Sequence, residues 1–207
     1  MLAIPLAIWV AWLLARKDFW GKAVLNAAVH LPLVLPPVVT GYLLLLAFGR
    51  TAPLGRALNA LGIQLAFHWT GAVLAAMIMG FPLMVRAMRL AIEAVDPKLE
   101  DTAATLGAPR TMVFFRVTLP LILPGVLAGT VMGFAKAMGE FGATITFVAN
   151  IPGQTQTLPS AIWAALQIPG GERQAVMMVL MASTVAIGAV LLSELLARRV
   201  AARIAGA

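Results

Sequence analysis

Two charged residues, Lys136 and Glu140, stand four positions apart inside an otherwise apolar stretch running from Thr118 to Ala149. That spacing puts both on one face of a helix. Within a hydrocarbon layer a charge costs about 2.5–3.5 kcal/mol or more unless it finds a partner or water. Mutual pairing meets that need, and so does exposure to a polar path through the layer. Lys136 can also reach toward the membrane surface along its flexible stem. Thr40, Thr144 and Thr146 are candidates for lining such a path, although a Thr in a helix more often bonds its own backbone. A second group of polar residues, Asp96 to Thr105, lies outside the apolar stretches. The chain has no Cys, which excludes disulfides, thiolate metal sites and a Cys nucleophile. Its two His, His30 and His68, fall near the ends of apolar stretches and fit an interfacial position better than a ligand role.

The elements that must position these residues follow from composition. Of 207 residues, 61% are hydrophobic with Gly left out of the count, and 11% are charged. Soluble domains reach about 45–50% apolar only with Gly included, and carry about 25% charge. A chain of this size has too little interior to hide so much apolar surface. Nor does it have the charge excess that keeps a disordered chain solvated. What remains is an all-α integral membrane protein. A spanning helix needs about 20 apolar residues, and the uncharged stretches predict helices near 28–48, 66–90, 119–148 and 174–197. Met1–Ala15 is about 22 Å long as a helix and reads as the latter part of a first span whose beginning is missing. A signal peptide would carry its Lys or Arg before the apolar region, whereas Arg16 and Lys17 follow it.

The net charge is +7, and its distribution points to a bilayer rather than to nucleic acid. With the loop after the first helix in the cytoplasm, eleven Lys and Arg lie inside: Arg16, Lys17, Lys22, Arg86, Arg89, Lys98, Arg110, Arg116, Arg198, Arg199 and Arg203. Three, Arg50, Arg56 and Arg173, lie outside. The bias predicts the N-terminus outside and the C-terminus inside. Trp9, Trp12, Trp20, Trp69 and Trp163 fit interfacial anchoring or lipid contact. Gly125, Gly129 and Gly133 form a small-residue stripe that permits close helix approach, either within one subunit or at a two-fold interface. Pro32, Pro36 and Pro37 predict a kinked or interrupted second span.

Between the third and fourth spans, the loop 91–118 reads as two short helices. Asp96 is a good N-cap and Pro97 suits the first helical position. Glu100 and Asp101 fall early, where the helix dipole favours negative charge. Gly107 suits closure in a left-handed conformation. Pro109 then starts a second helix, and Pro120 ends the unit where the membrane begins. Leu99, Ala103 and Leu106 share one face, and Val113, Phe114 and Val117 share another, so pattern alone equally fits an amphipathic loop packed beneath the spans.

The spacing adds more. Asp101-Thr102-Ala103, three residues, Gly107, nine residues, then Val117-Thr118-Leu119-Pro120 resembles the EAA loop of ABC importer permeases. The family pattern is Glu-Ala-Ala, three residues, Gly, nine residues, Ile-x-Leu-Pro, so the departures are Asp for Glu, Thr for Ala and Val for Ile. His30-Leu-Pro-Leu-Val-Leu-Pro-Pro-Val-Val-Thr-Gly-Tyr-Leu-Leu-Leu-Leu46 is similar to the second span of the molybdate permeases. Gly139-Glu-Phe-Gly-Ala-Thr-Ile-Thr-Phe147 and the run ending Gln167-Ile-Pro-Gly-Gly171 resemble the same subfamily. The sulfate/thiosulfate and tungstate permeases are its near neighbours, and the Leu31–Pro37 run favours molybdate.

The resemblance implies a type I ABC importer transmembrane domain of about five spans filling residues 1–207, in the cytoplasmic membrane. It implies that Glu100, Asp101, Thr102, Ala103, Ala104, Gly107, Val117, Leu119 and Pro120 belong to a coupling loop that docks on a separate ATPase. Thr40, Lys136, Gly139, Glu140, Gly142 and Thr144 then become candidates for the translocation path. An oxyanion there prefers Lys136 exposed and Glu140 neutralised or turned away, so Lys136→Ala is expected to reduce transport while assembly with the ATPase persists. The implied partners are a second copy, two ATPase subunits and an external molybdate-binding protein. No phosphate-binding Gly-x-x-x-x-Gly-Lys-Ser/Thr motif occurs in the sequence, so ATP and Mg²⁺ belong to the partner ATPase and no cofactor or metal is expected on this chain. A gradient-driven secondary transporter would call for two matching halves, and none is visible. A membrane-embedded enzyme would have to be built from Lys136, Glu140 and scattered Thr.

Overall fold

A computed structural model describes the backbone of residues 3–204 and the side chains of residues 3–199. Met1 and Leu2, with which the expected first span begins, lie outside the described residues. In chain order the helices are α1 (Ala3–Arg16), α2 (Lys22–Val34), α3 (Pro37–Phe48), α4 (Pro53–Ala60), α5 (Trp69–Glu93), α6 (Pro97–Thr105), α7 (Arg110–Val113), α8 (Leu119–Met138), α9 (Gly142–Val148), α10 (Leu158–Leu166) and α11 (Glu172–Ile204). One wide π turn, Phe114–Thr118, joins α7 to α8. Among the described residues every regular element is helical.

Among the described residues three helices are long and apolar enough to cross a membrane: α5, the run Arg110–Met138, and α11 as far as Arg199. The span expected over 28–48, with a kink or interruption at its prolines, is a pair, α2 and α3, bent by 118°, with Pro32 inside α2. The cause is local. Pro36 and Pro37 donate no backbone hydrogen bonds, and each disfavours helical geometry in the residue before it. Pro36 accordingly has extended backbone angles, φ −54° and ψ 135°, and Pro37 starts a new helix. The expected helix over 119–148 is also broken, ending at Met138 and resuming at Gly142. Pro120 lies in the first turn of α8, at the boundary expected between loop and span.

The chain divides into two compact units. The first holds residues 3–26, 83–132 and 188–204. There α1 buries Ala3, Ala7, Val10, Ala11 and Leu14, a stripe of helical period. Val85, Met88 and Ile92 on α5 and Ile122 and Val126 on α8 are buried as well. A Cβ added at Gly129 would lie 3.1 Å from the Met84 carbonyl oxygen and 3.2 Å from the Ala87 Cβ, and one at Gly125 would overlap the Ala91 Cβ. These two glycines of the stripe therefore let α8 approach α5 within the chain.

The second unit holds residues 27–82 and 133–187. Its core is Leu44, Ala66, Ala75, Met79, Ala143, Phe147 and Val148. The third glycine of the stripe, Gly133, has its carbonyl oxygen 2.6 Å from the place a Cβ on Gly80 would take. At the crossing of α3 and α9, a Cβ on Gly41 would lie 2.5 Å from the Ala143 carbonyl oxygen and 2.8 Å from its Cα. The rings of Phe48 and Phe147 meet at a centroid distance of 6.4 Å, closing that contact.

Candidate functional site

The loop candidates lie in the first unit. The Asp96 carboxylate accepts a hydrogen bond from the Lys98 amide at 3.0 Å, and Pro97 opens α6, so the helix starts where its capping residues dictate. Its end is equally local. Gly107 takes φ +86°. Its amide donates to the Ala104 carbonyl and the Ala108 amide to that of Ala103, the paired closure of a Schellman turn. A Cβ at Gly107 meets nothing within 4 Å, so Gly107→Ala brings only the left-handed backbone cost of about 1 kcal/mol. The expected result is faster amide hydrogen exchange over residues 97–105, with melting of the whole chain unchanged.

Almost nothing covers α6. Asp101, Thr102, Ala104 and Gly107 are exposed, and only Glu100 and Ala103 turn partly inward. Leu99 and Leu106 are 50% and 84% exposed, so the alternative of an apolar face packed beneath the spans does not hold for them. Val113 and Thr118 are buried, Val117 and Leu119 are intermediate, and Pro120 is exposed. In the π turn the Leu119 amide donates to the carbonyl of Phe114, five residues back. This wide turn ends two residues before Pro120, whose missing N–H already interrupts the helix ladder. The second half of the loop is thus continuous with α8.

Sequence reasoning counted Arg16 only as an inside charge. It is in fact joined to the loop: its Nη2 donates to the Val95 carbonyl at 2.9 Å and meets Glu100 Oε1 at 3.4 Å. The same Oε1 accepts from the Thr118 hydroxyl at 2.7 Å. A signal existed in Glu100, a charge beside Ala103 on the inward face of a short helix. Nearby, Lys22 holds the carboxyl of exposed Asp18 below its ordinary range through a 2.8 Å hydrogen bond.

The path candidates all lie in the second unit. Lys136 Nζ meets Glu140 Oε2 at 3.1 Å, with the Lys side chain about a third exposed and the Glu side chain 1% exposed. Glu140 Oε1 accepts from the Ala143 amide at 2.8 Å. One carboxylate therefore spans the break, tying the end of α8 to the first turn of α9. Gly142 sits where a Cβ would come within 2.8 Å of the Pro37 Cβ, so α9 begins hard against the start of α3. Gly139 is exposed and uncrowded. The Thr144 hydroxyl donates to the Phe141 carbonyl at 2.9 Å and that of Thr146 to Gly142 at 2.9 Å, so both bond their own helix region. Thr40 is buried and its Oγ1 has no hydrogen-bond partner. Gly41, beside it, was missed as a packing position. Its signal was a lone Gly inside an apolar helical run.

This all-helical arrangement is the fold of type I ABC importer transmembrane domains. A crystal structure of a bacterial alginate ABC transporter, in complex with an alginate pentasaccharide-bound periplasmic protein, matches at a TM-score of 0.73 and 18% identity, covering 97% of this chain and 73% of that one. Residues 3–205 match the family described as binding-protein-dependent transport system inner membrane component, and the chain belongs to that family. The molybdenum transport system permease protein ModB of Escherichia coli (strain K12) is 56% identical over 199 residues, 96% of this chain and 87% of the relative. ModB of Haemophilus influenzae (strain ATCC 51907 / DSM 11121 / KW20 / Rd) is 55% identical over 198 residues, 95% and 86% of the two chains.

Proposed function

We propose that this chain is the membrane-spanning subunit of an ABC importer for molybdate, driven by ATP hydrolysis on a separate subunit. The observation that carries the reading is the 56% identity, across 96% of the chain, to a molybdenum transport permease. The uncovered surface of α6 supports the coupling part of the reading. Leu99 and Leu106 are apolar and face outward beside Asp101 and Thr102, as a surface that docks into a cleft on another subunit requires.

The working assembly is two copies of this chain, two ATPase subunits carrying ATP and Mg²⁺, and one external binding protein, with the N-terminus outside and the C-terminus inside. ATP binding draws the ATPases together, moves the loop and turns the cavity outward to receive the anion. Transport follows from switching between two states whose preference ATP and the loaded binding protein change. Lys136, Gly139, Glu140, Gly142, Thr144 and Thr40 border the path, while the binding protein supplies most of the selectivity.

The test is ATP-dependent uptake of labelled molybdate into vesicles holding this chain, its ATPase and its binding protein, challenged with sulfate and tungstate. Uptake that resists excess sulfate is the expected result. Equal displacement by sulfate would assign the chain to sulfate transport. Uptake that needs no ATPase and follows an ion gradient would overturn the ABC reading altogether.

A further inference from the structure

We propose that Arg16, Glu100 and Thr118 form the link through which motion of α6 enters the membrane helices. This rests on the reading of α6 as the ATPase-docking helix. Seven of the nine residues of α6 are exposed, and Glu100 and Ala103 are the two that turn partly inward. Ala103 offers a methyl group. Glu100 offers a carboxylate whose Oε1 is met by the Arg16 guanidinium and the Thr118 hydroxyl together. Arg16 is the last residue of α1 and Thr118 the last of the π turn leading into α8. Arg16 also holds the Val95 carbonyl, at the turn that feeds α6. A push on α6 therefore reaches the end of α1 and the head of α8 through one oxygen atom.

The link has room to tighten. Arg16 contacts Glu100 through one nitrogen at 3.4 Å, a long pair, and its Nε is buried without a hydrogen-bond partner. A buried donor left unpaired is costly, and an Arg–carboxylate pair is strongest as a two-point fork. A displacement of α6 that brings Glu100 into the fork supplies Nε with its missing acceptor. The two arrangements differ in bonding, so the link favours switching between positions over continuous sliding. Thr118 is 1% exposed and its hydroxyl has the Glu100 carboxylate as acceptor, so it follows Glu100 in either position.

The test compares Glu100→Gln, Arg16→Ala, Arg16→Lys, Thr118→Val and Thr118→Ser in the full complex reconstituted in vesicles. Three quantities are read: ATPase retained on the purified permease, ATP hydrolysed, and labelled molybdate imported per ATP. Glu100→Gln, Arg16→Ala and Thr118→Val are expected to retain the ATPase and hydrolyse ATP, but to import roughly tenfold less molybdate per ATP. Thr118→Ser keeps its donor in place and is expected to recover most of that ratio. Arg16→Lys keeps the charge but cannot form the two-point fork, and is expected to recover little of it. Unchanged import per ATP in the first three variants would overturn the link while leaving the docking reading intact. A fall in import matched by equal loss of folded permease and retained ATPase, with no recovery by Thr118→Ser, would reduce the cluster to a structural role and also overturn it. Failure of the unsubstituted permease to retain any ATPase would instead remove the docking reading on which the link depends.

Discussion

Lys136→Ala is expected to destabilise the folded chain by about 3–5 kcal/mol, the range for breaking a buried ion pair. Glu140→Ala is expected to cost less, about 1–3 kcal/mol. The asymmetry follows from burial. Removing Lys136 strands a carboxylate whose side chain is 1% exposed, whereas removing Glu140 leaves an ammonium already a third exposed and able to reach water along its stem. The paired variant Lys136→Met with Glu140→Gln removes both charges while retaining an oxygen for the Ala143 amide, so it is expected to recover most of the folded protein. Melting in detergent, followed by size-exclusion chromatography, measures all four proteins. No loss in Glu140→Ala, or no recovery in the pair, would show that the carboxylate is not the brace between α8 and α9, and equal losses in the two single variants would refute the asymmetry. Intact assembly is accordingly not expected of Lys136→Ala. Uptake by the doubly neutral variant, at matched membrane levels, is the measurement that tests whether the path itself needs a cation.

Gly41→Val is expected to abolish the native crossing of α3 and α9. Even the Cβ of Ala would sit 2.5 Å from a backbone oxygen and 2.9 Å from the Thr146 Cβ, and neither atom can rotate away as the tip of a long side chain would. Overpacking of that kind costs about 1–3 kcal/mol for one methyl group, and a branched side chain adds more at the same point. The second unit has its core at this crossing: Leu44 on α3 and Ala143, Phe147 and Val148 on α9 are all buried. Gly41→Ala should therefore give a lower melting temperature with folded protein still present, and Gly41→Val little folded protein. A wild-type melting profile for Gly41→Val would mean the two helices do not cross so closely. By contrast, Gly139→Ala, where the nearest foreign contact is the Ala135 carbonyl at 3.7 Å, is expected to change melting far less.

The sequence by itself determined the features whose physics is local. Composition required a bilayer, because apolar area in such excess cannot be buried within a chain this short. The start and end of α6 were legible because Asp96, Pro97 and Gly107 act through hydrogen bonds and backbone angles no more than a few residues away. The interruption at Pro36 was legible for the same reason, since two successive prolines withhold donors wherever they stand. The bend of 118° was not, because an angle between helices depends on what each half packs against. The break between Met138 and Gly142 also needed the tertiary structure. No residue there forbids a helix, and the turn is held by a buried carboxylate meeting one partner on each side of it. Likewise, only the tertiary structure joined Arg16 to Glu100 across 84 positions, and left Leu99 and Leu106 uncovered. Periodicity identifies the apolar face of a helix, but which faces find a partner within the chain depends on contacts between residues far apart in sequence.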